Sequence, residues 1–210
     1  MAVLLAAPLA AQKRKVPPKK APANTAPALP LKTVTPEMRC PSLIGMGIKT
    51  VRSFCDVPAG RDPAQGVIVS LPPHAGAGTL MFDLHARHTY SEDERKRGKS
   101  YAHYRAGIGA LTMTGELLQR AAVDAEFRSA ADLFDRIGGG AGPGGMKAVA
   151  PAGREPAFIE IPENVAQVSL LGETLDATTP AGHETVVMPG RPIAIVSNML
   201  FEYHPVAGKQ

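Results

Sequence analysis

Glycine and proline interrupt this chain too often for long helices to fit between them: 21 Gly and 20 Pro are spread through 210 residues. Proline removes a backbone donor and glycine lowers helix propensity, so this punctuation favours short strands joined by turns. Between the breaks, apolar residues alternate. Over 79–90, Leu80, Phe82, Leu84, Ala86, His88 and Tyr90 fall on one face, and Met81, Asp83, His85, Arg87 and Thr89 on the other. A period of two marks a half-buried strand. Further strand-like stretches lie at 48–57, 66–71, 101–113, 146–150, 157–161, 167–175, 184–188 and 193–203. Segment 117–128 has the Ala and Leu content of a helix. Its Leu117, Gln119, Ala121, Val123, Ala125 and Phe127 nevertheless alternate with mostly polar neighbours, which predicts a strand.

Helical signals are few. Thr35-Pro36-Glu37 could open one turn, and Ser129 caps a predicted short helix over 130–137 that Gly138 stops. The pattern predicts a mostly β fold, a two-sheet antiparallel β-sandwich of jelly-roll type with one short helix near 130–137. Within it, 79–90 and 101–113 read as a hairpin with a long charged tip at 91–100. Thr179-Pro180-Ala181-Gly182 reads as the turn of a second hairpin.

Before its first acidic residue, Glu37, the chain reads as an address and a tether. Residues 1–11 form an apolar, small-residue run like the core of a secretory signal, with a cut expected ahead of Gln12. The usual cationic start is missing, as in a signal that begins upstream of Met1. Ten apolar residues are too few to cross a bilayer, which needs about 20. Residues 12–36 are proline-rich and carry six bases (Lys13, Arg14, Lys15, Lys19, Lys20, Lys32) and no acid; the rest of the chain keeps 17 of the 23 Lys and Arg against 19 Asp and Glu. All the net positive charge therefore sits in the tether. Its composition predicts an extended, solvated spacer, with electrostatic contact to anionic surfaces as the sharper role. No aromatic residue interleaves with its bases, so specific nucleic-acid binding is not expected. The sandwich domain is expected over 37–207, periplasmic or secreted and not transmembrane in its mature form.

Cys40 and Cys55 are the only cysteines, and in an oxidising compartment they are expected to form one disulfide. Their spacing does not suit a zinc knuckle.

Signs of chemistry are weaker. If the first hairpin folds symmetrically, His88 faces His103 and Tyr90 faces Tyr101, close enough for two imidazoles to share a divalent metal. A third ligand would come from His85, Asp83, His74 or Glu126. Asp83 and His85, on the other face of the same strand, offer an acid/base or orienting pair. With no nucleophile identifiable beside them, they read as an exposed polar face. His183-Glu184 lacks the second histidine of a zinc protease motif. Within the glycine run 138–145, residues 140–145 match G-x-G-x-x-G by letter, but a helix is expected before the run and a strand after it, the reverse of a dinucleotide site. It reads as a surface loop. The chain has no Trp, four Tyr and six Phe, which argues against a flat polysaccharide platform and leaves room for a small glycan pocket.

The sequence thus predicts an exported, non-catalytic module that binds a cell-envelope protein or glycan through exposed loops. The alternatives are a secreted metal-dependent enzyme built on His88 and His103, and a purely structural envelope protein.

Overall fold

The structure is a computed structural model that describes residues 29–137 and 148–206. Twelve strands occur among them: β1 Lys32–Val34, β2 Glu37–Arg39, β3 Leu43–Met46, β4 Ser53–Pro58, β5 Val67–Ser70, β6 His74–Tyr90, β7 Ala102–Thr112, β8 Leu117–Phe127, β9 Ala148–Ile161, β10 Gln167–Thr179, β11 Gly182–Val186 and β12 Pro192–Pro205. They form two antiparallel sheets. One runs β3-β4-β12-β6-β9, with β1 beside the C-terminal half of β12; the other runs β2-β5-β10-β7-β8, with β11 beside the C-terminal half of β10.

The topology follows from four antiparallel pairs, β4 with β12, β5 with β10, β6 with β9 and β7 with β8. Together they amount to one long hairpin of strand pairs. Rolling it so that alternate pairs enter opposite layers gives β4-β12-β6-β9 facing β5-β10-β7-β8, a jelly-roll-like order.

The core lies between the layers and is filled by the inward face of each strand. Leu80, Phe82, Leu84 and Ala86 of β6 meet Ala106, Ile108 and Ala110 of β7, Val168 and Leu170 of β10, and Ile193, Val196 and Phe201 of β12, all buried. Burying a large aliphatic side chain contributes about 1.5–3 kcal/mol, so this double layer of Leu, Ile, Val and Phe is the main stabilising term. The alternation over 117–127 forms β8, as its period predicts.

Two devices close the flanks. On one, the Gln119 side chain of β8 reaches β9, donating to the Phe158 carbonyl at 3.1 Å and accepting from the Glu160 N–H at 3.2 Å. On the other, Cys40 at the end of β2 is disulfide-bonded to Cys55 of β4, tying a strand edge of one layer to the other layer. The bridge closes a loop with a sequence separation of 15, worth about 3 kcal/mol by chain entropy.

The structure corrects several expectations. The stretch 79–90 and 101–113 is no hairpin: β6 and β7 belong to different sheets, and their connection crosses between layers. The helix expected over 130–137 shrinks to one 3-10 turn, Ala130–Asp132, with Ser129 and Asp132 in a capping box. After it the chain runs extended because Leu133 bridges Ala152 and Ile137 bridges Gly47. Tertiary pairing overrides the weak propensity of so short a segment. The one α-helix among the described residues, α1 Glu92–Lys96, lies instead in the charged connection, capped by Ser91. Thr35-Pro36-Glu37 opens no helical turn, since Glu37 starts β2. Part of the expected tether is strand, Lys32–Val34 pairing with β12. The leader 1–11, the tether as far as residue 28 and the glycine run 138–145 lie outside the described residues. No helix among those described is long and apolar enough to cross a membrane.

Candidate functional site

The inward face of β6 ends in His88, which is buried between the layers. From the opposite sheet, Tyr104 of β7 and Phe127 of β8 meet it. The His88 and Phe127 rings stack with centroids 3.8 Å apart and planes 18° from parallel. His88 Nδ1 lies 2.9 Å from the Tyr104 hydroxyl.

Burial pushes the His88 imidazole down to about 4, against the pull of the Glu94 carboxylate, so the ring is neutral at physiological pH. Burial pushes the Tyr104 phenol up to about 12, partly offset by the Thr89 backbone N–H at its oxygen, so it keeps its proton. The phenol oxygen accepts from the Thr89 N–H and keeps a second lone pair, so the contact to Nδ1 is satisfied by either neutral tautomer of His88, and the other ring nitrogen is Nε2. That atom is buried and has no hydrogen-bond partner among the described residues.

His88 and Tyr104 help line a cavity of about 650 Å³ at this end of the sandwich, a size typical of small-ligand pockets. Its walls come from both layers. Leu175 and Ala177 of β10 supply apolar surface, Pro180 and Ala181 of the β10–β11 turn and Tyr101 lie at its border, and Glu94 and Lys99 arrive from the charged connection. Arg191 and Glu184, both in the lining, pair at 2.6 Å, and Arg87, also in the lining, is held by Asp56 at 2.8 Å. Among the described residues Lys99 has no ion-pair partner.

Two of the predicted pairings do not form. His88 stands opposite Ala150 of β9, whereas His103 stands opposite Glu126 of β8 and Thr178 of β10. The parity of β7 decides this: Ala102, Ala106, Ile108 and Ala110 bury their side chains, Tyr104 shares their face, and His103 therefore faces outward. There it contacts Asp124 at 2.6 Å. Tyr90 hydrogen-bonds Glu92, while Tyr101 is exposed and its phenol is raised chiefly by a hydrogen bond to Glu126. Among the described residues no group of three His, Cys, Asp or Glu is placed to hold a metal ion, and the two imidazoles read as metal ligands do not face each other.

Asp83 and His85 are not an exposed polar face. Both are buried on the outer side of their sheet. Arg52 and Arg154 grip Asp83 at 2.7 and 2.9 Å. Burial lowers the His85 pKa, partly offset by the Gly153 carbonyl, so the ring is neutral. Nδ1 donates to that carbonyl at 2.7 Å, and Nε2 accepts from the Ser197 hydroxyl at 2.9 Å. Gly153 is required there: its φ is +64°, and a Cβ would come within 2.6 Å of Ala125. The sequence reading missed Ser197 as a neighbour of His85, because β12 pairs with β6 only in three dimensions. A serine beside an imidazole is the start of a nucleophile pair. Here Ser197 is 3% exposed and Phe134 covers the imidazole with centroids 4.6 Å apart, so the pair is a structural knot.

No family model matches the chain, and no curated protein matches it by sequence. Among solved structures, the adhesin domain of Lys-gingipain from Porphyromonas gingivalis aligns over 85% of this chain and 94% of its own, with 9% identity and a TM-score of 0.35. The infectious bursal disease virus particle aligns over 89% of this chain and 35% of its own, with 10% identity and a TM-score of 0.29. The VP2 subviral particle of the same virus gives 11% identity, 89% and 37% coverage, and a TM-score of 0.28. Likeness at these scores fixes neither a family nor a function.

Proposed function

We propose that this chain is an exported, non-catalytic β-sandwich binding module that takes a glycan, or a segment of a cell-envelope partner, into the cavity beside His88. One observation carries the reading: both layers and the charged connection wall a cavity of about 650 Å³, with the buried, neutral His88 among its lining residues. The walls suit such a ligand, with apolar surface from Leu175 and Ala177 and polar groups from the charged connection. The signal-like residues 1–11 and the Cys40–Cys55 disulfide support a place outside the cytoplasm. The basic residues of 12–36 would hold the module against an anionic surface.

Ala181→Trp tests this reading. Ala181 is exposed in the hairpin turn at the cavity border, so a bulky ring there obstructs the opening without disturbing the core. Retention of purified protein on cell-wall glycan and envelope fractions should fall at least tenfold in the variant. Equal retention would refute the cavity as the binding site.

A further inference from the structure

The end of the sandwich opposite the cavity holds a buried imidazole where two crossings between the layers meet. The β5–β6 connection, residues 71–73, passes from one sheet to the other, and the β9–β10 connection, residues 162–166, passes back. The two crossings touch, since the Leu71 N–H donates to the Ala166 carbonyl at 2.8 Å. His74, the first residue of β6, is 4% exposed and sits between them. Its Nδ1 lies 3.0 Å from the Pro72 carbonyl oxygen, and its Nε2 lies 3.2 Å from the Pro162 carbonyl oxygen. Phe201 and Tyr203 of β12 meet the ring edge-on, with centroids 5.2 and 6.4 Å away.

A carbonyl oxygen only accepts, so each contact is a hydrogen bond only when the facing nitrogen carries a proton. The neutral ring has one N–H and one lone pair, and its lone pair then opposes a carbonyl oxygen. The imidazolium satisfies both. The two contacts are not equivalent: the Pro162 carbonyl already accepts from the Val165 N–H at 3.0 Å, whereas among the described residues the Pro72 carbonyl accepts only from His74. The neutral ring therefore keeps its proton on Nδ1 and gives up Pro162. Around His74, β12 contributes the Tyr203 phenol and His204, whose Nδ1 faces the Leu29 carbonyl. The β9–β10 connection contributes Glu163, and the β5–β6 connection contributes no titratable group. None of these forms a hydrogen bond or an ion pair with His74.

We propose that His74 is a pH-operated clasp: its imidazolium donates to Pro72 and Pro162 at once and fastens the two crossings, and loss of one proton releases the Pro162 side. An imidazole changes charge between about pH 5 and 8, so the clasp is closed on the acid side of that window and half open on the alkaline side. The device is independent of the cavity, because His74 stands opposite Pro205 at the end of β12 while the cavity is lined by Pro192 at its start.

The test follows the His74 ring nitrogens of the full chain by ¹⁵N–¹H correlation between pH 5 and 8. Amide hydrogen exchange at Leu71 and Val165, corrected for the intrinsic pH dependence of exchange, is measured alongside. Below the titration step both ring nitrogens should carry a proton, and above it only Nδ1. Across the step, exchange at the two amides should quicken about three- to tenfold, the equivalent of one lost hydrogen bond. His74→Phe, which keeps an aromatic ring against Phe201 and Tyr203, and His74→Gln, which keeps a donor at every pH, should both abolish that change. Groups titrating elsewhere are common to all three proteins and cancel. A ring holding a single proton at pH 5, a neutral ring protonated on Nε2, or an exchange step of the same size in the parent and either variant would each overturn the clasp. The ring nitrogens are read in the parent alone and decide the matter even where a variant fails to fold.

Discussion

Replacing His88 with phenylalanine should remove a defined part of the protein's acid sensitivity. The unfolded imidazole begins to take up a proton below its ordinary value of 6.5, whereas the folded one resists until about pH 4. Between those values the unfolded state binds more protons, so stability falls as pH falls through that window. From pH 7.5 to 4.5 the loss from this one group comes to about 2.5 kcal/mol, the free-energy equivalent of the shift completed by pH 4.5. His85 is shifted in the same direction, but it is present in both proteins and drops out of the comparison. The carboxylates lowered by their partners, such as Asp124 and Asp135, contribute stability that is lost mainly below pH 4.5, again in both. At pH 7.5 the variant should differ little from the parent. Phenylalanine keeps the stack on Phe127, and leaving the Tyr104 hydroxyl without its ring partner costs about 1–3 kcal/mol, offset by removing the unpartnered buried nitrogen Nε2, of similar cost. Urea unfolding at pH 7.5 and 4.5 measures both quantities. If parent and variant lose the same stability between the two pH values, His88 is not held neutral by burial and the reasoning fails.

Three further outcomes are expected. Replacing Cys40 and Cys55 together by alanine should cost about 3 kcal/mol in the same assay, and no change would mean that the N-terminal strands are held without the bridge. Asp83→Asn should cost about 2 kcal/mol, because a charge-assisted hydrogen bond from Arg52 and an ion pair with Arg154 to a buried carboxylate are weakened; a neutral effect would show that Arg52 and Arg154 gain as much from solvent. Val51 is exposed with a φ of 56°, a conformation costly for a β-branched residue, so Val51→Asn should raise stability by about 1 kcal/mol; a loss would mean that the turn uses the valine side chain.

The inner face of the sandwich was open to reading because alternation is a local property. Leu80 to Ala86 and Val123 to Phe127 announce their buried parity without knowledge of any partner strand. Sheet membership is not local: whether β6 pairs with β7 or crosses to the other layer depends on which other strands compete for its edges, and β9 and β12 win both. The His88–His103 pairing failed for that reason. A better signal was present in Ala102, Ala106, Ile108 and Ala110, whose period already turns Tyr104 inward and His103 outward. The burial of Asp83 and His85 could not be read, because their cover comes from Arg52, Phe134 and Arg154, distant in sequence. The same distance hid Ser197. Asp135 is similar: burial would raise its pKa, but hydrogen bonds from Thr50, Lys49 and Arg136 hold it low, and it fixes the 47–52 turn from 85 residues away.

The two flanks of the sandwich are fastened by unlike means, a single amide of Gln119 on one side and a covalent sulfur bridge on the other. Ambient redox potential therefore acts on only one of them. In a reducing setting the seam beside β2 and β3 becomes the weaker of the two, and separation of the layers would begin at the N-terminal strands; under oxidising conditions it would begin instead where β8 lies against β9. The order in which this protein comes apart is thereby set by its surroundings as well as by its sequence.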